Sequence, residues 1–160
     1  MSSTHSVRTC LWFAAGGYAA ACRYVSLIPN SAVETPAPDQ GAPEPMVVHF
    51  HLNGAPYTIL NGGPHHRLSP AASIVVTTPD QAETDRLWAA LTEGGAPGRC
   101  GWLVDRDGLS WQIVPEALPR LLGAADRAAA GRAMQAMLRM GKLEIAALEA
   151  ASRGEGAPVG

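Results

Sequence analysis

Charged residues are scarce in this chain: they make up 16% of its 160 residues and leave a net charge of only −2. Lysine and arginine are scattered singly and form no basic stripe, so the pattern of a nucleic-acid-binding surface is missing. No apolar run is long enough to span a bilayer, and the N-terminus has no basic region followed by such a run. These absences predict a cytoplasmic protein without a nucleic-acid or membrane partner.

Cysteine is also rare, and the three present have no CxxC or metal-ligand spacing: Cys10, Cys22 and Cys100. This spacing argues against a disulfide framework and predicts reduced thiols. The length suits one domain, and a hydrophobic fraction of 47% is sufficient for a core.

One stretch predicts a β-hairpin in detail. Gly101–Val104 and Leu109–Val114 read as strands, and Asp105–Gly108 reads as the turn between them. The second strand alternates, which places Leu109, Trp111 and Ile113 on one face and Ser110, Gln112 and Val114 on the other. The large apolar face requires a helix or another sheet to cover it. The opposite face carries smaller side chains, both polar and apolar, and suits the lining of a cavity.

The order of predicted elements repeats along the chain. A strand over residues 7–13, a helix over 17–27 and strands near 31–34, 46–52 and 57–60 form the first set. A strand over 72–77, a helix beginning at Thr78 with a hydroxyl cap, a short strand near 96–99 and the hairpin form the second. The fold class is therefore α+β: two βαβββ modules in a curled mixed sheet around a cleft, followed by helices.

The chain after Pro115 is predicted to be helical. One helix carries an apolar stripe without a core of its own, which favours a homodimer: Ala130, Ala133, Met134, Met137 and Leu138. The predicted organisation is a paired-module domain over residues 1–116, a dimer-associated helical extension over 117–151 and a disordered tail over 152–160.

The hairpin from Cys100 to Pro115 resembles the closing hairpin of PhnB-like proteins in the vicinal-oxygen-chelate superfamily, which includes glyoxalase I, bleomycin-resistance proteins and extradiol dioxygenases. Cys10–Phe13, Arg23–Leu27, Leu60–Pro64 and the helical tail extend the resemblance over most of the chain. Members with this tail often carry the label 3-demethylubiquinone-9 3-methyltransferase. The resemblance implies paired βαβββ modules forming a cleft, and commonly a dimer.

The superfamily usually binds a divalent metal through His or Glu on the first and last strands of each module. The strands over 7–13 and 72–77 contain neither residue type, the position of the usual final Glu is Gln112, and its partner in the first module is Thr58. A neutral amide and a hydroxyl are weak ligands for zinc, iron or nickel, so no metal cofactor is expected at these positions. His49 and His51 share one strand face and are the alternative metal pair; otherwise they belong to a plain polar face.

The predicted cleft has neutral polar candidates, Gln112, Ser110 and Thr58, and aromatic ones, Trp12, Tyr57 and Trp102. Asn61 lies in a loop that resembles the cleft mouth of the family. Such a lining suits a small, partly apolar molecule. The alternatives are that the rings are core residues, that Gln112 is a structural amide and that Asn61 belongs to a plain turn.

Two function classes remain open at this point. The first is a metal-poor, small-molecule-binding dimer, and the second is a metal-dependent lyase, isomerase or dioxygenase of the superfamily. Methyl transfer is not supported: Ala14–Gly17 resembles a glycine-rich cofactor loop only superficially, no acid follows at the expected distance, and the strand order does not suit an open parallel sheet.

Overall fold

The computed structural model of the protein describes residues 6–155. The chain divides into two compact units, Met1–Leu68 and Ser69–Gly160. Each unit contains a strand, a helix and three strands in that order, so the predicted pair of βαβββ modules and the α+β class are confirmed. Within the described residues, no helix is both long and apolar enough to cross a membrane.

The first unit is a four-stranded mixed sheet with one helix. Its strand order is β1-β4-β3-β2, in which β1 runs parallel to β4 and the other neighbours are antiparallel. The elements are β1 Thr9–Phe13, α1 Gly17–Leu27, β2 Ala32–Val33, β3 Val47–Leu52 and β4 Ala55–Asn61.

Helix α1 covers one face of this sheet. Its buried residues Ala20, Ala21 and Tyr24 form the core together with alternate strand residues. The strand residues are Leu11, Phe13, Val48, Phe50, Leu52 and Ile59. The prediction that His49 and His51 share one face of β3 is therefore correct, because buried residues alternate with the exposed Val47 and His49 and the half-buried His51.

The beginning of α1 is held by side chains from two other segments. The Glu44 carboxylate, in the loop between β2 and β3, accepts hydrogen bonds from the N–H groups of Gly16 at 2.8 Å and Tyr18 at 2.7 Å. The Gly17 N–H donates to Asn61 Oδ1 at 3.0 Å. These acceptors satisfy backbone donors that lack a partner inside the helix.

The second unit contains a second four-stranded mixed sheet, of order β5-β8-β7-β6, with β5 parallel to β8. Buried strand residues pack against Leu87 and Leu91 of its helix; they are Ile74, Leu103, Trp111 and Ile113. The elements are β5 Ile74–Thr78, α2 Gln81–Thr92, β6 Ala96–Pro97, β7 Trp102–Val104 and β8 Ser110–Pro115.

The predicted cap of α2 is wrong. Thr78 is the last residue of β5 and pairs with Pro115, so it is extended backbone of the sheet rather than a helix cap. Its buried hydroxyl lies 2.6 Å from that of Thr84. Asp80 caps the helix instead, because its side chain accepts a hydrogen bond from the Glu83 N–H at 2.8 Å.

Three helices follow β8, and they belong to the second unit. They are α3 Ala117–Leu122, α4 Arg127–Met137 and α5 Ile145–Arg153. The expectation that they lack a core is wrong, because they enclose one of their own: Leu118, Leu121, Ala133, Leu143 and Leu148. Helical spacing in the sequence predicted the apolar stripe on α4, but it did not predict that α3 and α5 pack against this stripe.

Part of the α4 stripe remains uncovered, since Met134 and Leu138 are exposed. The predicted disordered tail begins at residue 152, but α5 continues through Arg153. Residues 156–160 of that tail lie outside the described residues.

Candidate functional site

Each sheet has a helix face, which packs against its own helix, and an opposite face. Cross-strand partners project to the same side of a sheet, so the strand register assigns every side chain to one of the two faces. On the first sheet, the opposite face carries Cys10, Trp12, Val47, His49, His51, Thr58 and Leu60. On the second, it carries Val75, Thr77, Trp102, Val104, Ser110, Gln112 and Val114.

Gln112 occupies the centre of the opposite face of the second sheet. In the register, its neighbour on β7 is Trp102 and its neighbour on β5 is Val75. Ser110 lies two residues before it and therefore on the same face. None of the strand residues on this face is charged, so the face combines apolar surface with a few neutral polar groups.

The Gln112 amide is only partly used. Its Nε2 donates a hydrogen bond to Ser73 Oγ at 2.9 Å, which fixes the orientation of the amide. Its Oε1 accepts no hydrogen bond from the described residues. Because the side chain is half-buried, this oxygen is an available acceptor beside the Trp102 position.

The Ser110 hydroxyl has unused hydrogen-bonding capacity as well. Ser110 is 1% exposed, and among residues 6–155 its Oγ is the buried side-chain oxygen without a hydrogen-bond partner. A buried hydroxyl that stays unpaired costs about 1–3 kcal/mol. The second sheet thus concentrates unused polar groups on its uncharged face.

On the first sheet, Thr58 lies next to His49 in the register, and its Oγ1 is 2.9 Å from the His49 Nδ1. Trp12 lies on the same face but contacts the loop that follows β4. Its indole Nε1 donates to the Gly63 carbonyl at 2.9 Å, and its ring packs so closely on Gly62 that a side chain there would collide with it.

Two predicted cleft residues lie on the helix face instead. Tyr57 pairs with Phe50 in the register and stacks on it, with ring centroids 5.3 Å apart. Burial raises the pKa of the Tyr57 phenol. Asn61 uses its amide within the protein, since its Oδ1 accepts from Gly17 and its Nδ2 donates to the Pro45 carbonyl at 2.8 Å.

The positions where the superfamily usually holds its metal do not fit one here. In the first unit, Thr58 Oγ1 lies beside a histidine nitrogen. In the second unit, Gln112 Nε2 donates to Ser73, so the amide offers only its neutral Oε1. Divalent metals prefer carboxylate, imidazole or thiolate ligands in protein sites. Among the described residues, no group of three or more His, Cys, Asp or Glu side chains is placed to hold a metal ion.

Sequence reasoning identified Asp105 only as a turn residue. It is 3% exposed. Its Oδ1 accepts from the N–H groups of Asp107 at 2.9 Å and Leu109 at 3.0 Å, and its Oδ2 accepts from the Trp111 indole at 2.8 Å. The only sequence signal was an aspartate at the first position of a turn, which commonly binds nearby backbone N–H groups.

Comparison with known proteins agrees with this architecture. A family model described as 3-demethylubiquinone-9 3-methyltransferase matches residues 5–114. A Bacillus cereus PhnB protein with the same methyltransferase description is 26% identical, with 69% of this chain and 99% of that chain covered and a TM-score of 0.60.

A Pseudomonas aeruginosa protein of known crystal structure shares the fold at 21% identity, with 71% of this chain and 98% of that chain covered and a TM-score of 0.57. No curated protein matches the sequence. Because the family model spans more than half of the chain, the protein belongs to the 3-demethylubiquinone-9 3-methyltransferase family, as a PhnB-like member of the vicinal-oxygen-chelate superfamily.

Proposed function

We propose that the protein binds a small, partly apolar molecule at the opposite face of its second sheet, without a metal at the usual superfamily positions. The observation that carries the proposal is the available acceptor of Gln112, held in orientation by Ser73 and placed next to Trp102 in the register. The buried, unpaired hydroxyl of Ser110 on the same face supports it.

The chemistry of the face defines the ligand class. A hydrogen-bond donor on the ligand would pair with Gln112 Oε1, and an aromatic or aliphatic body would contact Trp102 and its aliphatic neighbours. A charged ligand group would lose its hydration without finding an opposite charge among the strand residues of this face. A neutral, planar molecule with one hydroxyl is therefore the preferred type.

The test uses 2-naphthol as the probe, because it is planar, fluorescent and carries one donor. Saturable binding to the unaltered protein is expected by fluorescence titration. Gln112→Leu, which keeps the size but removes the amide, should weaken binding by about 5–150-fold, corresponding to about 1–3 kcal/mol.

The matched control is 2-methoxynaphthalene, which keeps the ring system but lacks the donor. Gln112→Leu should leave its affinity unchanged or raise it, because the apolar contact is kept. Equal affinity of 2-naphthol for both proteins would reduce Gln112 to a structural amide and refute the proposal, as would the absence of saturable binding.

The methyltransferase description of the family does not extend to a proposal of methyl transfer. The mixed sheets lack the open parallel order of a nucleoside-cofactor domain, and the Glu44 carboxylate already occupies the first N–H groups of α1. A metal-dependent reaction of the superfamily type is the competing proposal. It predicts stoichiometric zinc, nickel, manganese or iron in elemental analysis of protein purified without added metal.

We also propose a homodimer, supported by the uncovered part of the α4 stripe. Leu138 directly follows α4 in helical conformation, four residues after Met134, so the two side chains lie on the same side and expose apolar surface together. Light scattering at micromolar concentration should give twice the one-chain mass. The Met134→Lys/Leu138→Lys variant should give the one-chain mass, whereas Gln135→Lys, on the exposed adjacent position, should not; a one-chain mass for the unaltered protein would contradict the proposal.

A further inference from the structure

Two histidines project side by side from β3. His49 and His51 are two residues apart on one strand, so both imidazoles lie on the opposite face of the first sheet. His49 is exposed and the side chain of His51 is 32% exposed. Dissolved ions can therefore reach both rings.

The surroundings of His51 fix which ring nitrogen carries the proton. Its Nδ1 lies 3.3 Å from Glu34 Oε1, and an ionised carboxylate only accepts hydrogen bonds, so Nδ1 donates. Glu34 is itself held by Arg8 at 2.7 Å. In neutral His51, the lone pair is therefore on Nε2, the nitrogen that faces away from Glu34.

His49 has a similar arrangement. Its Nδ1 lies 2.9 Å from Thr58 Oγ1, which can accept the proton of that nitrogen. Neither histidine makes a further side-chain contact through Nε2 among the described residues. Both rings are thus anchored through Nδ1 and present Nε2 on the same face.

Anchored Nδ1 atoms and available Nε2 atoms are the arrangement of metal-binding histidines, whose second nitrogen usually donates to a carboxylate or another oxygen. We propose that His49 and His51 form a two-histidine site for a late first-row dication, with Cu²⁺ preferred because it binds nitrogen ligands most tightly in this series. Water completes the coordination, since no third protein ligand is placed there among the described residues.

This site differs from the usual metal positions of the superfamily, which lie on the first and last strands of each module. His49 and His51 belong to the first sheet, whereas the small-molecule face proposed above belongs to the second sheet. Arg8, Glu34 and Thr58 act here as positioning residues, since they orient the two imidazoles and do not bind the ion.

The experiment adds Cu²⁺ alone to the metal-free protein and follows binding by calorimetry and electron paramagnetic resonance. The chain has five histidines, and its exposed thiols Cys10 and Cys22 would bind and reduce Cu²⁺. A background variant with His5, His65 and His66 replaced by Gln and with Cys10 and Cys22 replaced by Ser therefore leaves only the proposed pair. This variant should bind one Cu²⁺ per chain with superhyperfine splitting from two nitrogens. Circular dichroism checks that each variant is folded.

His49→Gln and His51→Gln, each made in that background, should raise the dissociation constant at least tenfold and leave splitting from one nitrogen. Glu34→Gln should weaken binding about tenfold while the two-nitrogen signal remains, because the ligands are kept and only their orientation is loosened. The proposal is overturned if the background variant does not bind Cu²⁺, or if it binds Cu²⁺ equally well after either histidine is replaced.

Discussion

Asp105 provides the sharpest test of how the second module is stabilised. Its carboxylate is buried and accepts hydrogen bonds from two backbone N–H groups and from the Trp111 indole, so it joins the turn to the beginning of β8. Asp105→Asn keeps the shape of the side chain but exchanges one accepting oxygen for a donating NH₂ group.

The expected loss follows from these three hydrogen bonds. If the remaining oxygen still accepts from the two backbone N–H groups, the new NH₂ group faces the Trp111 N–H. Both groups are donors, so no hydrogen bond can form between them. Losing that acceptor inside the protein costs about 1–3 kcal/mol, and the other two bonds weaken because they are no longer charge-assisted. We expect the free energy of unfolding to fall by about 2–4 kcal/mol in total.

The assay is urea unfolding followed by far-ultraviolet circular dichroism. Asp80→Asn is the matched control, since it makes the same chemical change at the exposed cap of α2, where Asn serves nearly as well as Asp. The control should lose about 0.5 kcal/mol or less. A similarly small loss for Asp105→Asn would refute the assigned role of the buried carboxylate.

Three further outcomes are expected. Glu44→Ala removes the acceptor of two N–H groups at the start of α1 and should lower the free energy of unfolding by about 1 kcal/mol in urea titration, whereas Glu44→Gln should lose less. Gln81→Leu removes the acceptor of the first N–H of α5 and the donor to the Leu143 carbonyl, and should lower the thermal midpoint; an unchanged midpoint would contradict this link. The hydrogen bond from Arg8 holds the pKa of Glu34 below its ordinary value of 4.5, so its stabilisation is present above that value and is lost as the pH falls through the lowered pKa. Glu34→Gln should therefore lose less stability than the unaltered protein between about pH 5 and pH 3 in thermal melts, and an equal loss would contradict the assignment.

Local periodicity was sufficient to predict most of the elements. Buried faces are marked by two alternating sets of large apolar residues: Val48, Phe50 and Leu52, and Leu109, Trp111 and Ile113. Because side chains at every second position of a strand lie on the same face, the face that carries these residues is the one that is buried. The bounds of α1 were also predicted, since Gly16 and the Pro29-Asn30 pair delimit it in sequence.

The faces of β4 were not predictable in the same way. Tyr57 and Thr58 are both acceptable on a buried or an exposed face, so the strand alone does not determine which side each one takes. The register with β3 decides it, because Tyr57 lies opposite the buried Phe50 and Thr58 lies opposite His49. Likewise, Thr78 looks like a helix cap until its pairing with β8 is known.

Contacts that depend on the path of the backbone were not predictable from sequence patterns. The Asp105–Trp111 bond depends on the backbone geometry of the hairpin turn, and the core shared by α3, α4 and α5 depends on the path of the chain after Pro115. Predicting either feature requires knowledge of the backbone geometry, because the residue types alone permit several contact partners.

The two proposed sites differ in chemistry although they occupy the same backbone pattern in the two modules. The repeat-related strands β4 and β8 place Thr58 and Gln112 at comparable positions, but the neighbour in the register is His49 in the first module and Trp102 in the second. An imidazole beside a hydroxyl favours a cation, whereas an indole beside an amide favours a neutral, partly apolar molecule. Since the neighbour on the adjacent strand sets the chemistry of each face, a ligand cannot be assigned from the repeated strand alone.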